Sequence, residues 1–190
     1  MVLTLSAFLK VFFWSSAIVI LLIATFYPTD LRRHYAQSKN GHSDPFIVGV
    51  EDYGRHINSI MPAIAIVVMR DVNGLKQLAT IGLTGMIASH GPKRLLNDVT
   101  ISGTRLGERP SSSSSKHNMP SGHSTLASAG AYFMARRYSH WFGLIVWPVL
   151  AMTMYARFML DAHTISATIA GALTGAIVAA LFTRSNTRQK

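Results

Sequence analysis

Between residues 2 and 27 the chain carries one charge, Lys10, in an otherwise apolar run. Crossing the hydrocarbon layer of a bilayer takes ~20 helical residues, so this run is long enough. It exceeds the ~7–15-residue core of a signal peptide and no small-x-small cleavage site closes it. A retained helix is therefore preferred over a removed leader. Residues 28–56 break the pattern: Arg32, Arg33 and Lys39 are set against Asp30, Asp44, Glu51 and Asp52, with turn signals at Asn40-Gly41 and Asp44-Pro45. This stretch reads as a water-exposed connector with solvated charges and an interfacial helix near Phe46. Four short uncharged spans follow, at 57–69, 77–92, 118–135 and 141–156, and then a long one at 162–183. Any one short span could be a buried helix of a soluble protein, but separated by short charged turns they read together as bundle helices. The pattern predicts an all-α, integral-membrane six-helix bundle, one domain over 1–190. Its helices fall near 2–27, 57–69, 77–92, 120–136, 141–157 and 162–183, with a loop over 93–119. Six crossings put both termini on one side.

The last helix repeats small residues every fourth position, at Ala167, Gly171, Gly175 and Ala179. Such a stripe lets helices approach closely. Packing inside the bundle is its reading here, ahead of a dimer seam, and the oligomeric state stays open.

Composition agrees with the pattern. Of 190 residues 49% are hydrophobic and only 14% charged, about half the charge of a soluble protein. The net charge of +10 suits nucleic acid, anionic lipid or a phosphorylated substrate. No basic run interleaved with aromatics stands in a polar segment, which argues against nucleic acid. There is no cysteine, which excludes thiol chemistry and disulfides. Carboxylates near the histidines are few and HxxxH or HExxH spacing is absent, so no metal and no other cofactor is expected.

The candidate chemistry gathers at Met119-Pro120-Ser121-Gly122-His123-Ser124. Pro120 can open a helix, leaving Ser121, Gly122 and His123 in the first turn, where unpaired N–H groups and the helix dipole hold an anion. Gly122 lets a phosphate approach the backbone, and His123 puts a titratable ring beside it. Cations flank the knot: Lys93, Arg94, Arg105 and Arg109-Pro110 before it, and Arg157 with His163 after it. Arginine's forked donors fit phosphate oxygens, so Arg109 and Arg157 are the natural clamps, and Lys93 adds a point charge. Arg157 and His163 are six residues apart, ~120° around a continuous helix; a break near Asp161-Ala162 would let both face one pocket. His56, His90, His117 and His140 are read as structural, Arg136 and Arg137 as interface anchors, and the serine run 111–115 as a flexible loop.

A lysine, an Arg-Pro, a Pro-Ser-Gly-His and an arginine with a histidine six residues on, in that order, resemble the type 2 phosphatidic acid phosphatase superfamily. The narrower stretches Lys93-Arg94-Leu95-Leu96-Asn97, Asn118-Met119-Pro120-Ser121-Gly122-His123-Ser124 and Leu160-Asp161-Ala162-His163-Thr164-Ile165 look like its lipid A 1-phosphatases of the Helicobacter type. Two departures stand out. The gap from Lys93 to Arg109 is sixteen positions where the superfamily has seven, which leaves Arg94 and Arg105 as substitutes for the first cation. And Ala167 stands where an aspartate usually follows the last histidine. The resemblance implies His163 as nucleophile, forming a phosphohistidine, and His123 as the acid for the leaving oxygen. Lys93, Arg109, Ser121, Gly122 and Arg157 would bind the phosphate. A positive-inside count does not decide sidedness, because both sides collect Lys and Arg; the resemblance implies a periplasmic site on a bacterial inner-membrane enzyme, with both termini cytoplasmic. The substrate it implies is lipid A. Undecaprenyl diphosphate and phosphatidylglycerol phosphate are alternatives, and Ala167 motivates a rival of another class, a non-catalytic binder of anionic lipid.

Overall fold

Among the described residues, five of the seven α-helices start where the sequence supplies a side-chain oxygen to accept their first free N–H groups. In the computed structural model, which describes residues 4–31 and 39–186, Thr4 caps α1 (Leu5–Phe26) and Asp44 caps the short α2 (Pro45–Gly49). A single π turn, Val50–Gly54, leads into α3 (Arg55–Val68), and Asp71 caps α4 (Val72–Leu95). Ser121 caps α5 (Gly122–Arg137); α6 (Gly143–Met159) follows a 3-10 turn, and Thr164 caps α7 (Ile165–Phe182). The first residues of the expected helix at 2–27, the connector cations Arg32 and Arg33, and Arg188 and Lys190 lie outside the described residues.

The expected helices are present, with shifted ends. The largest shift is at α4, which begins five residues before 77 because of the Asp71 cap and runs through Pro92 to Leu95. Beyond Pro92 the last turn still closes, the Leu96 N–H donating to the Pro92 carbonyl at 2.8 Å, so Lys93 sits on the helix instead of in the loop. Proline at 120 does not open α5: the Ser121 hydroxyl takes the cap by accepting from Ser124 N–H at 3.4 Å, so the helix begins at Gly122. The expected break after Arg157 is real, since α6 ends at Met159 and α7 begins at Ile165. The helix near Phe46 is α2.

Helix α5 is the axis of the packing. Its Ala129, Ala131, Phe133 and Met134 meet Ile66 of α3, Ile81 of α4, Val146 of α6 and Val178 and Ala179 of α7 in one core. The small stripe of α7 lies against α5. A Cβ on Gly171 would stand 2.3 Å from the Ser121 carbonyl oxygen, and one on Gly175 2.1 Å from that of Thr125. Only glycine fits at either position, so the stripe sets the distance between α7 and the start of α5. Helix α1 joins the other side of α7, where Ala24 packs with Met119, Ala167 and Ala170.

Among the described residues three helices are long and apolar enough to cross a membrane: Ala7–Phe26, His140–Met159 and Ile165–Phe182. Outward-facing apolar side chains are plentiful on α1, where Phe8, Phe12, Phe13 and Ile23 are each more than half exposed. Helix α5 carries Ser, Thr, Gly and Ala, buried against its neighbours, so its composition lacks the hydropathy of a lipid-facing span.

The loop between α4 and α5 is folded. Thr100–Ile101 (β1) pairs antiparallel with Thr104–Arg105 (β2) across Ser102-Gly103, both at positive φ, the geometry of a tight hairpin turn. The serine run is ordered too, correcting the flexible-loop expectation. Ser115 Oγ accepts from the Arg109 N–H at 2.7 Å, and the Arg105 guanidinium donates to the carbonyls of Asn97, Ser113 and Ser115.

Candidate active site

The C-terminal end of α4, the N-terminal end of α5 and the turn between α6 and α7 meet at one end of the molecule. Lys93, Arg109, Gly122, His123, Arg157 and His163 all line one cavity of about 520 Å³ there. Arg94 and Arg105 do not, and the guanidinium of Arg105 is taken up by three loop carbonyls. The long gap from Lys93 to Arg109 is bridged by the β1–β2 hairpin, which carries Arg109 back to the helix ends.

Ser121 is placed differently from its expected role. It is fully buried, its N–H donates to the Ala167 carbonyl at 2.9 Å, and its hydroxyl serves as the cap. It sets the helix end and leaves the cavity to Gly122. A methyl group on Gly122 would stand 3.5 Å from both Lys93 Nζ and Ser89 Oγ. Ser89, one turn before Lys93 on α4, is buried with no hydrogen-bond partner for its hydroxyl among the described residues.

His163 is 2% exposed, and its Nδ1 lies 2.8 Å from the backbone carbonyl oxygen of Asn118. Burial, reinforced by the positive charges of Arg157, Lys93 and Arg109, holds this imidazole well below the ordinary histidine range, so the ring is neutral. A carbonyl only accepts, which assigns the single ring proton to Nδ1 and leaves a lone pair on Nε2. The orienting partner is thus a main-chain oxygen. Ala167, fully buried among Ala24, Met119 and Ala170, takes no part. Asn118 is itself fixed: its Oδ1 accepts the Thr164 N–H at 3.1 Å, its Nδ2 donates to Thr164 Oγ1 at 3.1 Å, and its N–H donates to the Gly107 carbonyl at 3.0 Å. The histidine and its partner are tied to each other through Thr164.

Arg157, 9% exposed, donates to Glu51 Oε1, which also accepts from Arg55; Glu51 Oε2 and Arg157 Nε have no partner among the described residues. The connector charges are therefore not all solvated: Glu51, carried inward by the π turn, holds a candidate phosphate clamp in place. Among the histidines read as structural, His90 lines the cavity, with its Nδ1 3.1 Å from the Met86 carbonyl. Sequence reasoning missed Ser89, Asn118, Glu51 and Arg55. The position of Ser89 one turn before Lys93 was the one available signal.

The cavity does not end at the cations. It runs between α3, α4 and α5 past Ser89, Met86, Gly85, Gly82, Ile81 and Leu78. From Lys93 to Leu78 is ~22 Å along the α4 axis. A charged head and an apolar trench of this length suit a phosphorylated amphiphile. The order of the motifs and the fold of the region that carries them agree with the comparison with known proteins: the chain belongs to the PAP2 superfamily, whose family model matches residues 74–190. It is similar to the lipid A 1-phosphatase of Helicobacter pylori strain J99, with 42% identity over 133 residues, 70% of this chain and 69% of that protein. The lipid A 1-phosphatase of Helicobacter pylori strain 26695 is 41% identical over 135 residues, with the same coverage. No solved structure matches significantly.

Proposed function

We propose that this protein is a lipid A 1-phosphatase of the bacterial inner membrane, hydrolysing its substrate through a phosphohistidine. Convergence of three cations and two histidines at the head of an apolar trench carries the reading; the similarity to two lipid A 1-phosphatases supplies the particular substrate. His163 Nε2 attacks the phosphorus while its Nδ1–H stays on the Asn118 carbonyl. His123, which takes up a proton once the anionic phosphate is bound beside it, gives that proton to the departing sugar oxygen, and the neutral ring then takes one from the water that releases phosphate in the second half-reaction. Lys93, Arg109, Arg157 and the free N–H of Gly122 neutralise the oxygens as charge develops, the task a metal ion performs in other phosphatases. The Ser89 hydroxyl is within reach of the same oxygens.

The six long helices are read as crossings. Helices α4, α5 and α7 each run from the catalytic end to the opposite end, and α5 alone spans ~24 Å, close to the hydrocarbon thickness. Small and polar residues on α5 are compatible with this because protein surrounds them. The catalytic end is assigned to the periplasm and the termini to the cytoplasm.

The test is phosphate release by the purified full chain from lipid A, undecaprenyl diphosphate and phosphatidylglycerol phosphate, with and without EDTA. Release from lipid A, unaffected by EDTA and abolished in His163→Ala, is the expected result. Preference for either other lipid would replace the substrate assignment. Binding of lipid A without turnover or an acid-labile phosphoenzyme would make the protein a carrier.

A further inference from the structure

At the end of the molecule opposite the catalytic cavity a second, larger cavity of about 660 Å³ opens between the start of α4 and the ends of α5 and α7. Its base is a buried polar network. The Arg137 guanidinium, 4% exposed, donates twice to the Asp71 carboxylate at 2.5 Å, and Tyr138 Oη donates to the same carboxylate at 3.1 Å. Arg137 also donates to Gln77 and to the Arg184 carbonyl. Arg137 is therefore not an interface anchor, as its position next to Arg136 suggested; its charge is spent on Asp71. The same network pins the extended segment that follows α7, through Gln77 Oε1 accepting the Arg184 N–H at 2.9 Å and the Arg137 carbonyl accepting the Asn186 N–H at 2.9 Å.

Three further cations, Arg70, Lys76 and Arg184, line this cavity, and Asp71 is the one carboxylate among its described lining residues. Asp71 being committed to Arg137, three positive charges are left without a counter-charge at the mouth among the described residues. Arg70, at φ +49°, ends α3 in a Schellman turn, its N–H donating to the Val67 carbonyl at 3.2 Å and the Asp71 N–H to the Ile66 carbonyl at 2.9 Å. Charges needed only to orient a membrane protein do not require a cavity. Beside the cations the rim is apolar and open: Met69, Val72 and Leu181 are 38%, 65% and 72% exposed. A free anion would use the cations alone. A lipid uses both, and basic pockets between helix ends are the usual form of a headgroup site.

We propose that this cavity binds the headgroup phosphate of an anionic membrane lipid from the leaflet opposite the catalytic one. Arg70, Lys76 and Arg184 hold the phosphate while an acyl chain lies against Val72 and Leu181. This rests on the membrane reading above and is independent of the substrate. Occupancy would tie the start of α4 to the segment after α7, and the other end of α4 carries Lys93 into the catalytic cavity.

The test uses the purified full chain in a non-ionic detergent. Thermal unfolding is followed with dioleoyl phosphatidylglycerol, dioleoyl phosphatidylcholine or inorganic phosphate added. Three proteins are compared: the natural sequence, the triple variant Arg70→Gln/Lys76→Gln/Arg184→Gln, and Arg157→Ala, which weakens anion binding at the catalytic end. A ligand that binds only the folded state raises the midpoint. Phosphatidylglycerol should raise it by several degrees in the natural protein and in Arg157→Ala, and leave the triple variant unmoved. The other two additives should do little. Equal stabilisation of the triple variant, or an equal effect of phosphatidylcholine or inorganic phosphate, would overturn the proposal. Native mass spectrometry of the natural protein and of Arg157→Ala should show one retained phosphatidylglycerol on each; none on either would overturn it even if the triple variant failed to fold. Phosphate release by the natural protein, assayed without added phosphatidylglycerol, reports separately on the catalytic reading.

Discussion

Replacing Asn118 by alanine tests whether a main-chain carbonyl has taken the place of the missing aspartate. The perturbation leaves the carbonyl itself and removes what holds it. Asn118 is 3% exposed, and its side chain accepts the Thr164 N–H at 3.1 Å and donates to Thr164 Oγ1 at 3.1 Å and to the Leu106 carbonyl at 3.5 Å. Stranding the buried Thr164 N–H costs ~1–3 kcal/mol, and each lost donor bond adds ~1 kcal/mol. The total, about 3–5 kcal/mol, lowers the thermal midpoint without abolishing the fold. The catalytic effect has a different origin. The carbonyl and the His163 turn, no longer fastened through Thr164, can drift apart, and a displacement of ~1 Å costs about a hundredfold in rate. Since Lys93, Arg109 and Arg157 are untouched, kcat should fall by about two orders of magnitude with KM little changed. Asn118→Asp keeps an acceptor for the Thr164 N–H and should recover part of the loss. The assay is initial-rate phosphate release from lipid A across a substrate range, with a thermal melt on each sample. A folded Asn118→Ala protein with natural kcat would refute the reasoning, because a purely structural asparagine moves the melt and not kcat.

Four other outcomes follow from the same geometry. Arg109→Lys should lose nearly as much rate as Arg109→Ala, about a hundredfold, because both abolish the forked contact; a lysine variant with most of its rate removes Arg109 from the clamp. A Cβ on Gly85 would meet no atom within 4 Å, so Gly85→Leu fills the trench without a backbone clash and should slow lipid A hydrolysis about tenfold, while a short-chain phosphomonoester is hydrolysed as before. Because His163 resists protonation in the folded state whereas an unfolded histidine titrates near 6.5, the stability it contributes is complete above that pH and is lost as pH falls below it. Melts between about pH 8 and 5 should show a decline that His163→Gln makes shallower, and identical slopes would rule the histidine out as its source. Finally, single cysteines at Ser113 and Ser185 should react differently with an impermeant thiol reagent in cells with a permeabilised outer membrane, position 113 labelling and position 185 protected; the reverse pattern would move the catalytic end to the cytoplasm.

What the sequence determined alone is what local chemistry determines. Apolar runs separated by charged turns specified the long helices, and a hydroxyl or carboxylate at Thr4, Asp71, Ser121 and Thr164 specified where four of them begin. The order of Lys93, Arg109, Gly122, His123, Arg157 and His163 marked them as a candidate phosphate site, and the break after Arg157 was legible from a helical angle. The spacing of Ala167, Gly171, Gly175 and Ala179 announced a close packing without naming its partner. That partner, α5, was decided only in three dimensions, as was the choice of Lys93 over Arg94 and Arg105, which depends on which face of α4 the hairpin returns to. The acceptor for His163 lies 45 positions away, the carboxylate on Arg157 lies 106 away, and the one on Arg137 lies 66 away. No periodicity encodes such pairs. Each exists because burying an unpaired polar group is costly, and the group that satisfies it is whichever the packed helices bring within about 3 Å.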